Sequence, residues 1–338
     1  MKNEIKIFYS EDWVDYELLD TGGGEKLEKF GPYIFVRPYG NAFWKKTLSE
    51  KEWNKADGKF WSSKQGAKSG WTFNSKGSPW KGSLKGCPFK WEMSYKGIKF
   101  LASPTPFRHL GFFPEQASHW DFIEEKLNSV LSQKKISSRF TLPGVPGGTY
   151  ATKKFSSAPG LKFLNLFGYT GVASLFALRA GAEVTHLDAS KQTLAWVKEN
   201  QKLNLDIGCP SGHPMSGIRI IEDDALKFLE REEKRGNKYD AIIMDPPKFG
   251  RGPKGEIWKI EEMLPKLLAQ VRKVLSDKPL FVILTSYATD SSSLCLGYAL
   301  SEMMRDFKGN AETGELCLLE KSNNRLIPLA NTAVWSAN

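Results

Sequence analysis

The chain has 338 residues, 41% of them hydrophobic and 25% charged, which suits one large or two modest packed domains and excludes a disordered chain. No apolar run reaches the roughly 18 residues of a membrane span, and Met1–Asp15 carries no apolar segment of the kind a secretory signal needs, so a cytoplasmic protein with no membrane partner is expected. The net charge is +10, with 23 Lys and Arg against 16 Asp and Glu in residues 1–150 (+7) and 25 against 22 in residues 151–338 (+3), an uneven excess that favours a polyanionic partner, nucleic acid first, over a merely soluble basic surface.

In chain order, Ile5–Tyr9, Tyr33–Arg37, Trp71–Phe73, Phe89–Tyr95 and Ile98–Leu101 are rich in β-branched and aromatic residues, a pattern that predicts short strands. Asp20–Gly24 reads as a plain turn. Gly58–Trp91 holds no acidic residue, seven lysines and four tryptophans (Trp61, Trp71, Trp80, Trp91). Two readings follow: the tryptophans form the core of a small β-domain, or they stack on unpaired bases while lysines meet phosphates. Helical periodicity first shows at Ala117–Leu131, and the Gly- and Pro-rich stretch Arg139–Pro159 reads as a connector. Residues 1–105 are therefore expected to form a smaller β-rich, basic N-terminal domain, and 106–338 a second domain.

From Leu161 the pattern becomes regular. Strands are predicted at Leu161–Phe167, Glu183–Asp188, Ile218–Ile221, Tyr239–Asp245 and Leu280–Thr285. They alternate with helices at Val172–Ala180, Lys191–Leu203, Ala225–Lys234, Glu256–Leu275 and Ser292–Arg305. Glu315–Leu319 and Arg325–Val334 form a closing hairpin. Such alternation implies an α/β fold with a doubly wound parallel sheet. The cysteines (Cys87, Cys209, Cys295, Cys317) form no CxxC pair and read as reduced thiols. His109, His119, His186 and His213 do not gather with carboxylates or cysteines, so no metal is assigned, and His186 reads as a packed core residue.

A strand, a glycine turn, a helix, a second strand and an acid form the grammar of an adenosine site. Here they read Leu164-Asn-Leu-Phe-Gly168-Tyr-Thr-Gly171, then Leu187-Asp188. Gly168 and Gly171 allow close backbone approach, and Asp188 is placed to accept both ribose hydroxyls. Taken alone, the glycines are equally an ordinary β–α turn. The full G-x-G-x-x-G is lacking, so a phosphate cradle is poorly supported. A sulfonium needs none, and Asn165, Phe167 and Tyr169 supply acceptors and aromatic faces. Asp224 either accepts from an adenine amino group, with Ala225 leaving room for the ring, or caps the next helix, or does both.

Asp245-Pro-Pro-Lys-Phe-Gly250 follows a buried strand and opens at the carboxyl edge of the sheet, where ligands bind in open α/β folds. Asp245 and the Pro246 carbonyl are candidate acceptors for a base amine, and Phe249 a stacking partner for a base taken out of its helix. The plainer alternative is a proline-terminated strand with a capping Asp.

The stretches LNLFGYTGVASLFALRAGAEVTHLDAS and DPPKFGRGPKGEIWKIEEMLP resemble the bacterial ribosomal-RNA large-subunit methyltransferases, and Gly111-Phe-Phe-Pro-Glu-Gln116 resembles that family's F-x-x-Q element near the cofactor. The resemblance covers residues 105–300. It implies a class I methyltransferase with a Rossmann-like seven-stranded sheet and an antiparallel last hairpin, S-adenosylmethionine as cofactor, and ribosomal RNA as partner. It puts Asn165, Phe167, Gly168 and Gly171 at the methionine side, with Phe112, Tyr169 and Thr170 beside them. Asp188 goes to the ribose, flanked by Ala189 and Ser190. Asp224 and Ala225 go to the adenine, and Asp245 to the catalytic loop, with Pro246 and Phe249. Members that methylate cytosine C5 place a cysteine after the fifth strand, because a thiolate must attack C6. Tyr287 stands at that position, which favours a nitrogen acceptor. Arg251 and Lys254 are expected at phosphates. Two rival readings share part of this pattern: a nicotinamide-dependent oxidoreductase, and a non-catalytic RNA-binding protein with a methyltransferase fold.

Overall fold

A computed structural model of the chain describes residues 4–11, 13–62, 69–74, 89–139, 160–205, 217–287 and 291–338, with the backbone alone over 132–139. Trp80, Cys87, Cys209, His213 and the 140–159 connector lie outside the described residues. In chain order the strands are β1 (Ile5–Phe8), β2 (Tyr16–Gly22), β3 (Glu25–Phe30), β4 (Tyr33–Pro38), β5 (Gly58–Ser62), β6 (Ser69–Phe73), β7 (Trp91–Tyr95), β8 (Ile98–Ala102), β9 (Lys162–Leu166), β10 (Glu183–Asp188), β11 (Arg219–Glu222), β12 (Ala241–Met244), β13 (Phe249–Arg251), β14 (Ile257–Lys259), β15 (Phe281–Ser286), β16 (Gly309–Leu319) and β17 (Leu326–Ala337). The helices are α1 (Glu50–Trp53), α2 (Ala117–Arg139), α3 (Val172–Arg179), α4 (Lys191–Lys202), α5 (Ala225–Lys234), α6 (Ile260–Val274) and α7 (Ser293–Met303).

The large sheet runs β1-β16-β17-β15-β12-β9-β10-β11. Its seven expected strands are present, parallel except for β17, which lies antiparallel to both β15 and β16. The eighth is β1, which pairs parallel with β16 from Ile5↔Thr313 to Phe8↔Leu316. It comes from the segment expected to be the N-terminal domain. The central strands are near-continuous apolar runs because both faces are covered, and their side chains divide with a period of two. Phe163, Ala241, Ile243, Phe281 and Ile283 join the core under α2 and α3. Leu164, Leu166, Ile242, Met244, Val282 and Leu284 join the core under α5, α6 and α7.

The first core continues without a break into the N-terminal strands, through Phe30, Phe35, Trp71, Trp91, Phe100 and Phe112. There β2-β3-β4-β5-β6 form a five-stranded sheet, and β7-β8 a hairpin. Trp71 and Trp91 are buried core residues, whereas Trp61 stays 42% exposed, so the packing reading holds for those two. Asp20 is no turn residue. It lies inside β2, fully buried, and accepts from the Thr47 and Leu48 amides, the Trp53 indole and the Ser322 hydroxyl. Ser322 belongs to the turn between β16 and β17, so this carboxylate ties the N-terminal sheet to the closing hairpin.

The helix expected from Glu256 begins instead at Ile260. Ile257–Lys259 pairs antiparallel with Phe249–Arg251, and the Trp258 indole donates to the Pro247 carbonyl at 2.6 Å. These tertiary bonds override the helical periodicity of the preceding turn. No helix among the described residues is long and apolar enough to cross a membrane.

Candidate active site

β9 lies between β12 and β10, where the connections change direction, and its carboxyl end opens the crevice expected at such a point. The chain turns there through Phe167 (φ 58°), Gly168, Tyr169 (φ 52°) and Gly171 (φ 86°), the last capping α3. Two bulky residues in left-handed conformations cost about 1–2 kcal/mol each. The surroundings hold them: Gly168 N donates to Leu187 O at 2.9 Å, Tyr169 N to Asp188 Oδ2 at 2.9 Å, and the Thr170 hydroxyl to Gly111 O at 2.5 Å. The glycines are also required by the protein's own packing: a Cβ on Gly168 would collide with the His186 ring and meet Asn165 Cγ at 2.9 Å, and one on Gly171 would meet Val197 at 2.9 Å. His186 is the packed residue expected, held neutral by burial with its pKa pushed down to about 4, and its Nδ1 lies 2.9 Å from the Ser174 hydroxyl.

Asp188 ends β10. Its Oδ1 accepts from Ser190 N (2.9 Å) and the Thr193 hydroxyl (3.0 Å), and its Oδ2 from Tyr169 N. The Ala189 amide also bonds to this carboxylate, which is thereby held in a fixed orientation at the cavity wall. Burial raises its pKa, opposed by those hydrogen bonds. Asp224 does cap α5, accepting from Lys227 N at 3.1 Å, and it also faces the cavity. Asp223 pairs with Arg231.

Asp188, Ala189, Ser190, Asp224, Ala225, Phe167, Tyr169, Asp245 and Phe249 all line one cavity of about 480 Å³. That volume lies within the range of small-ligand sites. A smaller adjoining cavity is lined by Phe112, Asn165, Phe167, Gly168, Tyr169, Thr170, Gly171 and Asp245. The predicted residues are thus brought together around one crevice, with one exception. Pro246 is buried and lines neither cavity, while Pro247 does. Donor chemistry and shape fit an adenosyl sulfonium: acceptors at the ends of β10 and β11, aromatic walls at Phe167 and Trp258 (ring centroids 5.1 Å apart), and no glycine-rich phosphate cradle.

Asp245 ends β12. Burial pushes its pKa well above the carboxylate range, and the Glu115 carboxylate adds to this. Its hydrogen-bond partner is the Gln116 amide, 3.4 Å away, which also donates to Tyr287 Oη at 3.1 Å. The orientation of that amide is fixed from behind. Gln116 Oε1 lies 2.8 Å from His119 Nδ1, and His119 Nε2 lies 3.1 Å from the Thr332 hydroxyl. Burial holds His119 neutral, its pKa pushed down to about 3. With the Gln116 amide nitrogen on the acceptor Asp245, its Oε1 faces His119 Nδ1, while the Thr332 hydroxyl also donates to the Leu284 carbonyl at 3.2 Å. The Phe113 ring packs against Tyr169, Tyr287 and His109 at the crevice wall. Trp258 and His109 also line the larger cavity and stand outside the predicted set. Their place depends on β3, β4 and the β13–β14 hairpin folding against the sheet edge.

No protein-family model matches the chain. Among curated proteins, Ribosomal RNA large subunit methyltransferase I of Aeromonas salmonicida is 37% identical over 100 residues, 29% of this chain and 23% of that relative. Ribosomal RNA large subunit methyltransferase K/L of Chromohalobacter salexigens is 42% identical over 99 residues, 29% of this chain and 12% of that relative. The chain therefore spans less than a quarter of the length of these two relatives. Among solved structures, the SAM-dependent methyltransferase from Agrobacterium tumefaciens is 36% identical with a TM-score of 0.79, the match covering 98% of this chain and 94% of that one. With that identity sustained over nearly all of both molecules, and with the strand-end acids and glycine turn in one crevice, the chain belongs to the SAM-dependent methyltransferases.

Proposed function

We propose that the protein transfers a methyl group from S-adenosylmethionine to a nucleobase of RNA, with large-subunit ribosomal RNA as the acceptor and nitrogen as the favoured atom, in the cytoplasm. The observation that carries this reading is the shared cavity: Asp188 and Asp245, ends of different strands, line the same walls. The cofactor, when bound, supplies a methyl group already activated on a sulfonium. The chain's own work is then positioning and proton handling. Asp188 and Asp224 orient donors of the adenosyl group. Asp245 accepts an N–H of the incoming base, and Gln116 holds Asp245 in place. Phe249, 56% exposed at the cavity mouth, stacks on the base. Arg251 and Lys254, both exposed, meet phosphates. Tyr287 at the end of β15 offers no thiolate, which favours nitrogen over cytosine C5.

The test is incubation with tritiated S-adenosylmethionine and undermethylated large-subunit ribosomal RNA, followed by nucleoside mass spectrometry. A labelled N-methylnucleoside is expected. A labelled 5-methylcytidine would overturn the choice of atom, and label confined to protein would overturn the RNA reading.

A further inference from the structure

A second cavity of about 460 Å³ lies between the N-terminal sheet and the methyltransferase sheet, and Arg108, His109, Phe113 and Tyr287 are common to its wall and to that of the crevice above. Lys26, Arg37 and Glu115 also line it. Its chemistry is set by Glu28, which is fully buried behind it in β3. The Glu28 carboxylate accepts from Tyr16 Oη at 2.9 Å and from Arg37 Nε and Nη2, each at 2.6 Å, and lies 3.2 Å from Lys26 Nζ. Four donors surround Glu28, three on Oε1 and one on Oε2, and the carboxylate is fully buried behind the wall, so it is engaged by the protein's own groups. Arg37 and Lys26 are clamped by it and retain spare N–H donors. Arg37 Nη1 donates in addition to the Arg108 carbonyl at 3.1 Å, which fixes the loop that carries Arg108. The Arg108 side chain makes no hydrogen bond or ion pair among the described residues. Three cations, Lys26, Arg37 and Arg108, stand against the two carboxyls Glu28 and Glu115, so the cavity holds one positive charge in excess, and Arg108 is the cation whose side chain has no partner among the described residues. Such a cavity takes an acceptor-rich anion. Two large rings stand exposed beside it. Phe107, 71% exposed, precedes Arg108, and Phe43, 88% exposed, follows Asn41 of the lining by two residues.

From this we infer that the cavity between the two sheets is a phosphodiester subsite for single-stranded RNA, in which Arg108 grips the phosphate next to the acceptor base while Phe107 stacks on a neighbouring unpaired base. The inference rests on the RNA reading above and adds to it a second contact, built partly from the N-terminal sheet. It also gives that sheet a role in substrate binding that the buried Trp71 and Trp91 do not supply.

The experiment measures the anisotropy of a 5′-fluorescein-labelled, mixed-sequence, 12-nucleotide single-stranded RNA against the full chain over a salt series. Binding of S-adenosylhomocysteine is measured in parallel by calorimetry. Arg108→Ala is expected to weaken RNA binding about tenfold and to reduce the slope of log K against log salt by about 0.7, with S-adenosylhomocysteine affinity unchanged. Phe107→Ala is expected to weaken RNA binding about tenfold with no change in that slope. Both side chains are exposed, so the variants keep the fold, and Arg108→Lys restores the salt slope. RNA affinity and slope unchanged in Arg108→Ala would overturn the inference while leaving the RNA reading intact. A parallel loss of S-adenosylhomocysteine affinity would also overturn it, by assigning Arg108 to the cofactor's carboxylate. Failure of the unsubstituted chain to bind the RNA at all would instead sink the RNA reading.

Discussion

Glu28 in the N-terminal sheet and Asp245 at the edge of the large sheet are both deeply placed carboxyls, yet their surroundings push them in opposite directions. Glu28 has Tyr16, two nitrogens of Arg37 and Lys26 around it, and Arg37 together with Lys26 overcomes the cost of burial to hold its pKa down to about 2. Asp245 has one amide at 3.4 Å and the like charge of Glu115, so burial wins and its pKa rises well above the ordinary range. A carboxylate supplied with every donor it can use is a structural anchor. One left short of donors at a cavity wall retains acceptor capacity for a substrate. The two together show why donor count, and not burial alone, separates scaffold from chemistry in this molecule.

Removing the charge from each should give unlike results. Asp245→Asn is expected to lower the rate of methyl transfer by about 10²–10⁴-fold, the usual worth of a positioned base, when single turnovers are followed with labelled cofactor. Only the ionised form of Asp245 accepts a proton, so the unsubstituted rate should rise with pH through its raised pKa, and the variant should lack that limb. Stability should move the other way. A carboxyl whose folded pKa is raised binds more protons folded than unfolded, so it costs stability as pH rises above about 4. Asp245→Asn should therefore melt no lower than the parent at neutral pH. Equal pH–rate profiles for parent and variant would break the comparison.

Glu28→Gln should do the reverse. Leaving Arg37 and Lys26 buried without their anion is expected to cost about 3–5 kcal/mol, read as a lower melting temperature. In the parent, the stabilisation from Glu28 is fully present above the unfolded value of about 4.3 and is lost as pH falls toward 2. Melting of the two proteins should converge in acid. The smallest effect is expected at the cavity mouth. Phe249→Ala removes an exposed ring, so stability holds while RNA affinity falls about tenfold.

The sequence makes the large sheet readable because its signals are local. Apolar runs such as Ala241–Met244, the turn residues of Gly168–Gly171 and the Asp245-Pro-Pro start each declare a strand end within a few residues. The N-terminal sheet is less legible. Tyr16–Gly22 and Glu25–Phe30 carry Asp, Glu and Lys at positions that fold inward, and their burial is permitted by partners distant in the chain, as with Asp20 and Ser322. Likewise β1 reads as a strand, but nothing near Ile5 indicates that its partner is β16. Arg108 shows no pattern either, since its role exists only once β3 and β4 close over the sheet edge. The Glu256 helix start was misleading for the same reason: a three-residue hairpin held by Trp258 outweighed helical spacing.

In the proposed reaction an adenosyl group lies between the ends of β10 and β12. Calorimetric titration of S-adenosylhomocysteine into the parent chain and into Asp188→Ala tests it most directly. Saturable one-to-one binding by the parent, weakened at least about 100-fold in the variant, which loses both the ribose acceptor and the tether on Tyr169, is the predicted result. Equal affinity in the two proteins would contradict the account.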